Sequence, residues 1–110
     1  MIIDRFGSIS DSKEFIYVYQ NAKKWHCDCA VIYFLESDTT KFAAVSSKKV
    51  GKAVIRNHTK RLLRSAFHSF TSELKDGIYI MIAKVGLEKL PYAKIQKSLR
   101  WSLGKMDSFK

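Results

Sequence analysis

The sequence predicts an α+β fold, a single-domain α/β sandwich whose helices pack on one small mixed sheet in the order α-β-β-α-β-α. Apolar residues recur at intervals of three and four in three segments, and short apolar runs rich in β-branched and aromatic residues fill the stretches between them. With 110 residues and 46% hydrophobic content, the chain suits one core of its own. Residues 1–110 therefore read as one domain, without internal repeat or low-complexity linker.

After an irregular start, "SDSKEFIYVYQNAKK" sets Asp11 and Glu14 in capping-box spacing, with Phe15, Val18, Tyr19 and Ala22 following at helical intervals. The run "CAVIYFLE" reads as a strand buried on both faces or in a cleft. "SDTT" then turns the chain, and "KFAAVSS" supplies a weaker strand expected to pair back on the first. Gly51 stands at the entry to a long helix expected to reach about Phe70. Its apolar arc is Ile55, Leu62, Leu63, Ala66 and Phe70, and its polar arc Asn57, Lys60, Arg61, Arg64 and His68. Asp76-Gly77 makes the next turn and Ile78 to Ala83 a central strand. Pro91 opens a last helix with Ile95, Leu99 and Leu103 inward and Gly104 at its end.

A formal net charge of +10 points to polyanionic partners, nucleic acid first and an anionic membrane second. Charge alone does not choose between them. No uninterrupted apolar run approaches the roughly 18 residues of a membrane helix, and "MIIDRFGSIS" lacks the charged flank and apolar stretch of a secretory signal, so a soluble cytoplasmic protein without membrane or small-molecule partner is expected. Cys27 and Cys29 in "WHCDC" are too close in sequence for an unstrained disulfide and too few for zinc; free thiols are expected. The acidic residues form no paired-carboxylate cluster and the histidines sit beside no convincing nucleophile, so neither catalytic nor metal-binding residues are assigned.

The charge concentrates in "SKKVGKAVIRNHTKRLLRS". Such a run is commonly a solvated helix face. Here, however, no acidic residue lies between Lys41 and Thr71, so the usual i,i+4 ion-pair partners are missing. Arg56, Lys60 and Arg64, four residues apart, form a ridge that can neutralise phosphates without reading sequence. Asn57 adds an amide that can pair with a phosphate or a base edge. Lys48, Lys49 and Lys52 surround Gly51 at the helix N-terminus, where free amides attract anions. Gly51-Lys52 lacks the remaining residues of a P-loop. Aromatic rings supply the other half of a single-strand site, since a base stacks on them whatever its identity. Phe15 and Tyr19 share a helical face and Tyr33 comes from the next strand. Periodicity puts Phe15 in the core, whereas the phenols of Tyr19 and Tyr33 need a polar or wet end. Trp25 and Trp101 read as packing residues.

The pattern K-x-G-x-A-x-x-R-N-x-x-K-R-x-x-R, filled by Lys49, Gly51, Ala53, Arg56, Asn57, Lys60, Arg61 and Arg64, resembles the signature of the bacterial ribonuclease P protein subunit. The likeness extends through "SKEFIYVYQNAKK", "AVIYFL", "DGIYIMIAK" and "KIQKSLRWSL". It implies a left-handed βαβ crossover like that of a ribosomal-protein domain, and a non-catalytic subunit that binds the ribonuclease P RNA while that RNA removes the 5′ leader of precursor tRNA. Magnesium would then be held mainly by RNA, with no cofactor tightly bound by the protein. By position, Lys49, Lys52, Arg56, Asn57, His58, Lys60, Arg61 and Arg64 would face the RNA subunit, and Phe15, Tyr19 and Tyr33 would line a cleft for the leader.

Two places depart from that pattern. His58 replaces a usual arginine, and a histidine with an ordinary pKa is largely neutral at physiological pH. Val45 and Ser46 exchange the apolar and polar positions of the usual strand end, so the hydroxyl offered to the cleft is missing or moved. Two rival readings remain at this stage: a general nucleic-acid-binding or ribosomal-type module, and a small nuclease acting alone.

Overall fold

A computed structural model describes residues 6–9 and 11–110. Its elements are β1 (Gly7–Ser8), α1 (Ser12–Asn21), β2 (Lys23–His26), β3 (Ala30–Glu36), β4 (Lys41–Val45), α2 (Ala53–His68), β5 (Gly77–Ala83) and α3 (Tyr92–Lys105). The strands form one mixed sheet in the order β1-β4-β5-β3-β2. The α+β class stands, while the order of elements gains β1 and β2. Part of the irregular start is thus a strand, and residues 1–5 and Ser10 of that stretch lie outside the described residues.

Lys23 and Lys24 leave the expected first helix and enter β2. Asn21 ends α1, and Lys24 pairs with Tyr33 and Trp25 with Ile32 in an antiparallel ladder. Tertiary pairing with β3 overrides the helical preference of the lysines. The capping box forms only in part. Asp11 Oδ1 accepts from the Lys13 amide at 3.0 Å, but the Glu14 carboxylate accepts from Lys41 Nζ at 2.8 and 2.9 Å, tying α1 to the start of β4.

Strand β4 does not pair back on β3. Both pair with β5, β4 in parallel (Phe42 opposite Tyr79) and β3 antiparallel (Ile32 opposite Met81). β5 is the most buried strand, and the centre of the sheet is where both of its apolar faces are covered. Helix α2 makes the crossover from β4 to its parallel neighbour.

The helices divide between the two faces. On one face α2 and α3 cover the larger core, in which Phe67 stacks on Phe42 with centroids 4.0 Å apart and Phe34 on Tyr79 at 4.6 Å. On the other face α1 sets Val18 on Ile78 and Ile80 in a smaller cluster. β3 accordingly alternates: Ala30, Ile32 and Phe34 enter the larger core, Tyr33 and Leu35 the smaller. Helix α2 buries Thr59, Leu63, Ala66 and Phe67. Ile55 and Leu62 pack only in part, and Phe70 is buried just beyond the helix end.

Candidate nucleic-acid interface

Entry to α2 is set by Gly51. The turn Lys48–Val50 delivers the chain to Gly51 at φ 149° and ψ −162°, a conformation essentially restricted to glycine. A Cβ there would meet Ile55 side-chain atoms at 3.1 to 3.3 Å. Arg56 Nη1 donates to the Gly51 carbonyl at 3.2 Å, so the turn also holds the first arginine of the ridge. No side chain caps the helix at Lys52.

With about 100° per residue, Arg56, Lys60, Arg64, Asn57 and Arg61 occupy about 140° of the helix circumference. Arg56 and Lys60 are half-buried along the flank of the core, and Asn57, Arg61 and Arg64 are exposed. Among the described residues none of these cations, nor Lys49 or Lys52, forms an ion pair; the pairs present are Glu14 with Lys41, Asp107 with Lys75 and Glu73 with Arg100. The ridge therefore presents uncompensated charge, about 12 Å long from Arg56 to Arg64. His58 is not part of it. It lies about 160° around from both Arg56 and Lys60, on the flank where Ser65 Oγ meets Tyr92 of α3 at 2.8 Å.

The aromatic residues meet on the opposite face of the sheet. Tyr19 packs edge-on against Tyr33 at 4.8 Å, and Phe15 lies 6.1 Å from Tyr19. Phe15 and Tyr33 are half-buried in the smaller cluster, while Tyr19 keeps 37% of its surface exposed. Burial, and secondarily the Tyr33 phenol, push the Tyr19 hydroxyl above the ordinary tyrosine value. The rings thus offer stacking surface without negative charge. The floor beside them is aliphatic: Val45, Ile82 and Val31 stand in register across the sheet.

Lys24 escapes the sequence reading, and Ser46 enters it only as a missing or moved hydroxyl. Lys24, half of an apparent helix end, belongs to β2 and holds Nζ 5.6 Å from the centre of the Tyr33 ring, adding a cation at the rim. No local signal marks it as a strand residue; the ladder with β3 does. Ser46 lies at the end of β4, and its Oγ is 3.0 Å from Thr59 Oγ1, on the side of the sheet facing α2.

Cys27 and Cys29 are free and buried, with sulfurs 3.7 Å apart. The hydrogen bond between them draws the Cys27 thiol down to about 5 and, with burial, pushes that of Cys29 up. Among the described residues, no three of His, Cys, Asp or Glu converge into a group able to hold a metal.

The sequence pattern of the family described as Ribonuclease P matches residues 3–107. The chain belongs to the ribonuclease P protein family. It is 32% identical over 92 residues to the ribonuclease P protein component of Nitratiruptor sp., covering 84% of each chain. A Streptococcus agalactiae ribonuclease P protein component is 34% identical over 93 residues, covering 83% of this chain and 85% of that one. The Staphylococcus aureus RNase P protein structure superposes with a TM-score of 0.82 at 26% identity, covering 94% of this chain and 97% of that one. The Thermotoga maritima RNase P protein shares the fold at a TM-score of 0.76 and 20% identity, over 84% of this chain and 91% of that one.

Both departures from the ribonuclease P protein pattern have a structural outcome. His58 leaves the charged ridge intact because it projects elsewhere. The exchange at Val45 and Ser46 puts an aliphatic side chain in the smaller cluster with Tyr33 and Ile82, and sets the hydroxyl on the other side of the sheet against Thr59.

Proposed function

We propose that α2 binds the RNA subunit, and that the cleft beside α1 binds the precursor's leader, in ribonuclease P, the endoribonuclease whose protein component this family is. The chain serves removal of the 5′ leader from precursor tRNA without performing the chemistry. The observation that carries this reading is a basic ridge without a carboxylate partner among the described residues. A polyphosphate ligand would neutralise it and gain affinity by releasing counterions. Lys49, Lys52, Arg56, Asn57, Lys60, Arg61 and Arg64 contact that RNA. Phe15, Tyr19 and Tyr33 stack on unpaired leader bases, where an aliphatic floor supplies contact without hydrogen bonds to select a base. Magnesium belongs to the RNA, and no step is assigned to a metal on this chain. The protein contributes by screening phosphate repulsion and holding the leader.

Purified protein incubated with precursor tRNA, with and without a ribonuclease P RNA and at low and moderate magnesium, tests the reading. Restored cleavage by the RNA at low magnesium is expected. Cleavage by the protein alone would overturn it, and equal affinity for precursor and mature tRNA would leave a general RNA-binding module.

A further inference from the structure

We infer that the outer flank of α3 is a second, separate site for single-stranded RNA, with a base stacked on Trp101 and phosphates held by Lys94, Lys97 and Lys105. The two flanks of α3 differ in character. One is tied to the fold: Tyr92 Oη meets Ser65 Oγ at 2.8 Å, Gln96 Nε2 reaches Ser69 Oγ at 3.5 Å, and Arg100 pairs with both carboxylate oxygens of Glu73 at 3.2 Å. On the other, Lys94, Lys97, Trp101 and Lys105 fall within about 80° of arc along about 16 Å of axis. All four are exposed. The helix contains no acidic residue, and among the described residues none of the three lysines forms an ion pair.

Trp101, expected from sequence to be a packing residue, is 57% exposed. Its ring is braced edge-on by Trp25 at 5.6 Å, and Trp25 packs against the larger core. Lys105 Nζ stands 5.6 Å from the centre of the same ring. A groove of about 620 Å³ opens beside it, lined by Asp28, Ala93, Lys94, Lys97, Ser98 and Trp101. Lysines placed before and after a fixed, exposed indole are what a nucleotide strand requires: phosphate, base, phosphate. An acidic peptide would use the lysines and leave the ring idle, and a membrane surface would need a broader apolar stripe than one tryptophan. Asp28 opposes phosphate at the groove and holds the affinity down. The site shares no residue with the ridge or the cleft, so it stands or falls apart from them.

The intact chain carrying Trp25→Phe has Trp101 as its single indole, and its fluorescence during titration with oligoadenylate reads this site alone. Saturable quenching is expected. Lys97→Ala and Lys105→Ala each lower the log–log salt slope of that quenching by about 0.7, and Asp28→Asn tightens it. In the wild-type chain, photo-cross-linking to a uridine-containing oligonucleotide should label the Trp101 peptide, a readout independent of Trp25→Phe. Absence of both quenching and cross-link overturns the inference. So does equal quenching by polyglutamate, or quenching that follows protein concentration without RNA, which would mark a polyanion patch or a self-association surface.

Discussion

Thr59 Oγ1 lies 3.0 Å from Ser46 Oγ and 2.8 Å from the Arg56 carbonyl oxygen, at a position with no exposed surface. This contact fastens the end of β4 to the turn of α2 that carries Arg56 and Lys60. Thr59→Val keeps the shape and removes the hydroxyl, so it should cost about 1 to 2 kcal/mol by urea denaturation. Combined with Ser46→Ala, the loss should be clearly less than additive. Additive losses would show that the two hydroxyls do not act as a pair.

Position around α2 separates its basic residues by consequence. Arg56→Ala or Lys60→Ala should each reduce the log–log salt slope of RNA-subunit binding by about 0.7 to 0.9, one counterion. His58→Ala, on the flank toward α3, should leave that slope unchanged at neutral pH. A slope insensitive to Arg56 and Lys60 would remove both from the interface.

Gly51 tests whether the entrance to α2 depends on backbone geometry. Gly51→Ala forces a Cβ into Ile55 at a φ of 149°, and the penalty for such a conformation is on the order of 1 to 3 kcal/mol. Thermal unfolding should detect that loss. A variant of wild-type stability would mean the turn relaxes without strain.

Much of this arrangement is legible along the chain. Helical spacing marks Phe15, Val18 and Tyr19 on α1 and Ile95, Leu99 and Leu103 on α3, and the missing acids around α2 mark the ridge before any contact is seen. Partners distant in sequence are not legible. Nothing local to Lys23 and Lys24 announces an edge strand, because β2 exists through its ladder with β3. The place of β4 beside β5 depends on which strand most needs two covered faces, a competition settled over the whole sheet. His58 looked like a defect in the basic motif only while the motif was read as a line; on a cylinder it occupies another flank.

The raised Tyr19 hydroxyl gives the cleft a measurable alkaline signature. Burial and Tyr33 favour the neutral phenol in the folded chain. The unfolded chain therefore releases this proton at lower pH, and stability should fall as pH rises through the ordinary tyrosine range toward the folded value. Tyr19→Phe should flatten that decline and remove one component above the ordinary tyrosine range from an ultraviolet phenolate titration. An unaltered titration would place the late-ionising phenol elsewhere.

The cleft itself is tested by ligands that differ only in the leader. Tyr19 and Tyr33 touch edge-on, and Lys24 stands above Tyr33, so removing either ring also disturbs the support of the other. Tyr19→Ala or Tyr33→Ala should weaken binding of leader-bearing tRNA by about 1 to 3 kcal/mol, with Phe replacements retaining most of the affinity because stacking needs the ring rather than the hydroxyl. Affinity for mature tRNA should not move, since no unpaired leader reaches the rings. Filter-binding titrations of both ligands in the reconstituted complex decide the matter. Parallel losses for precursor and mature tRNA would mean that the rings support the fold or the RNA subunit, and the leader would need a different track.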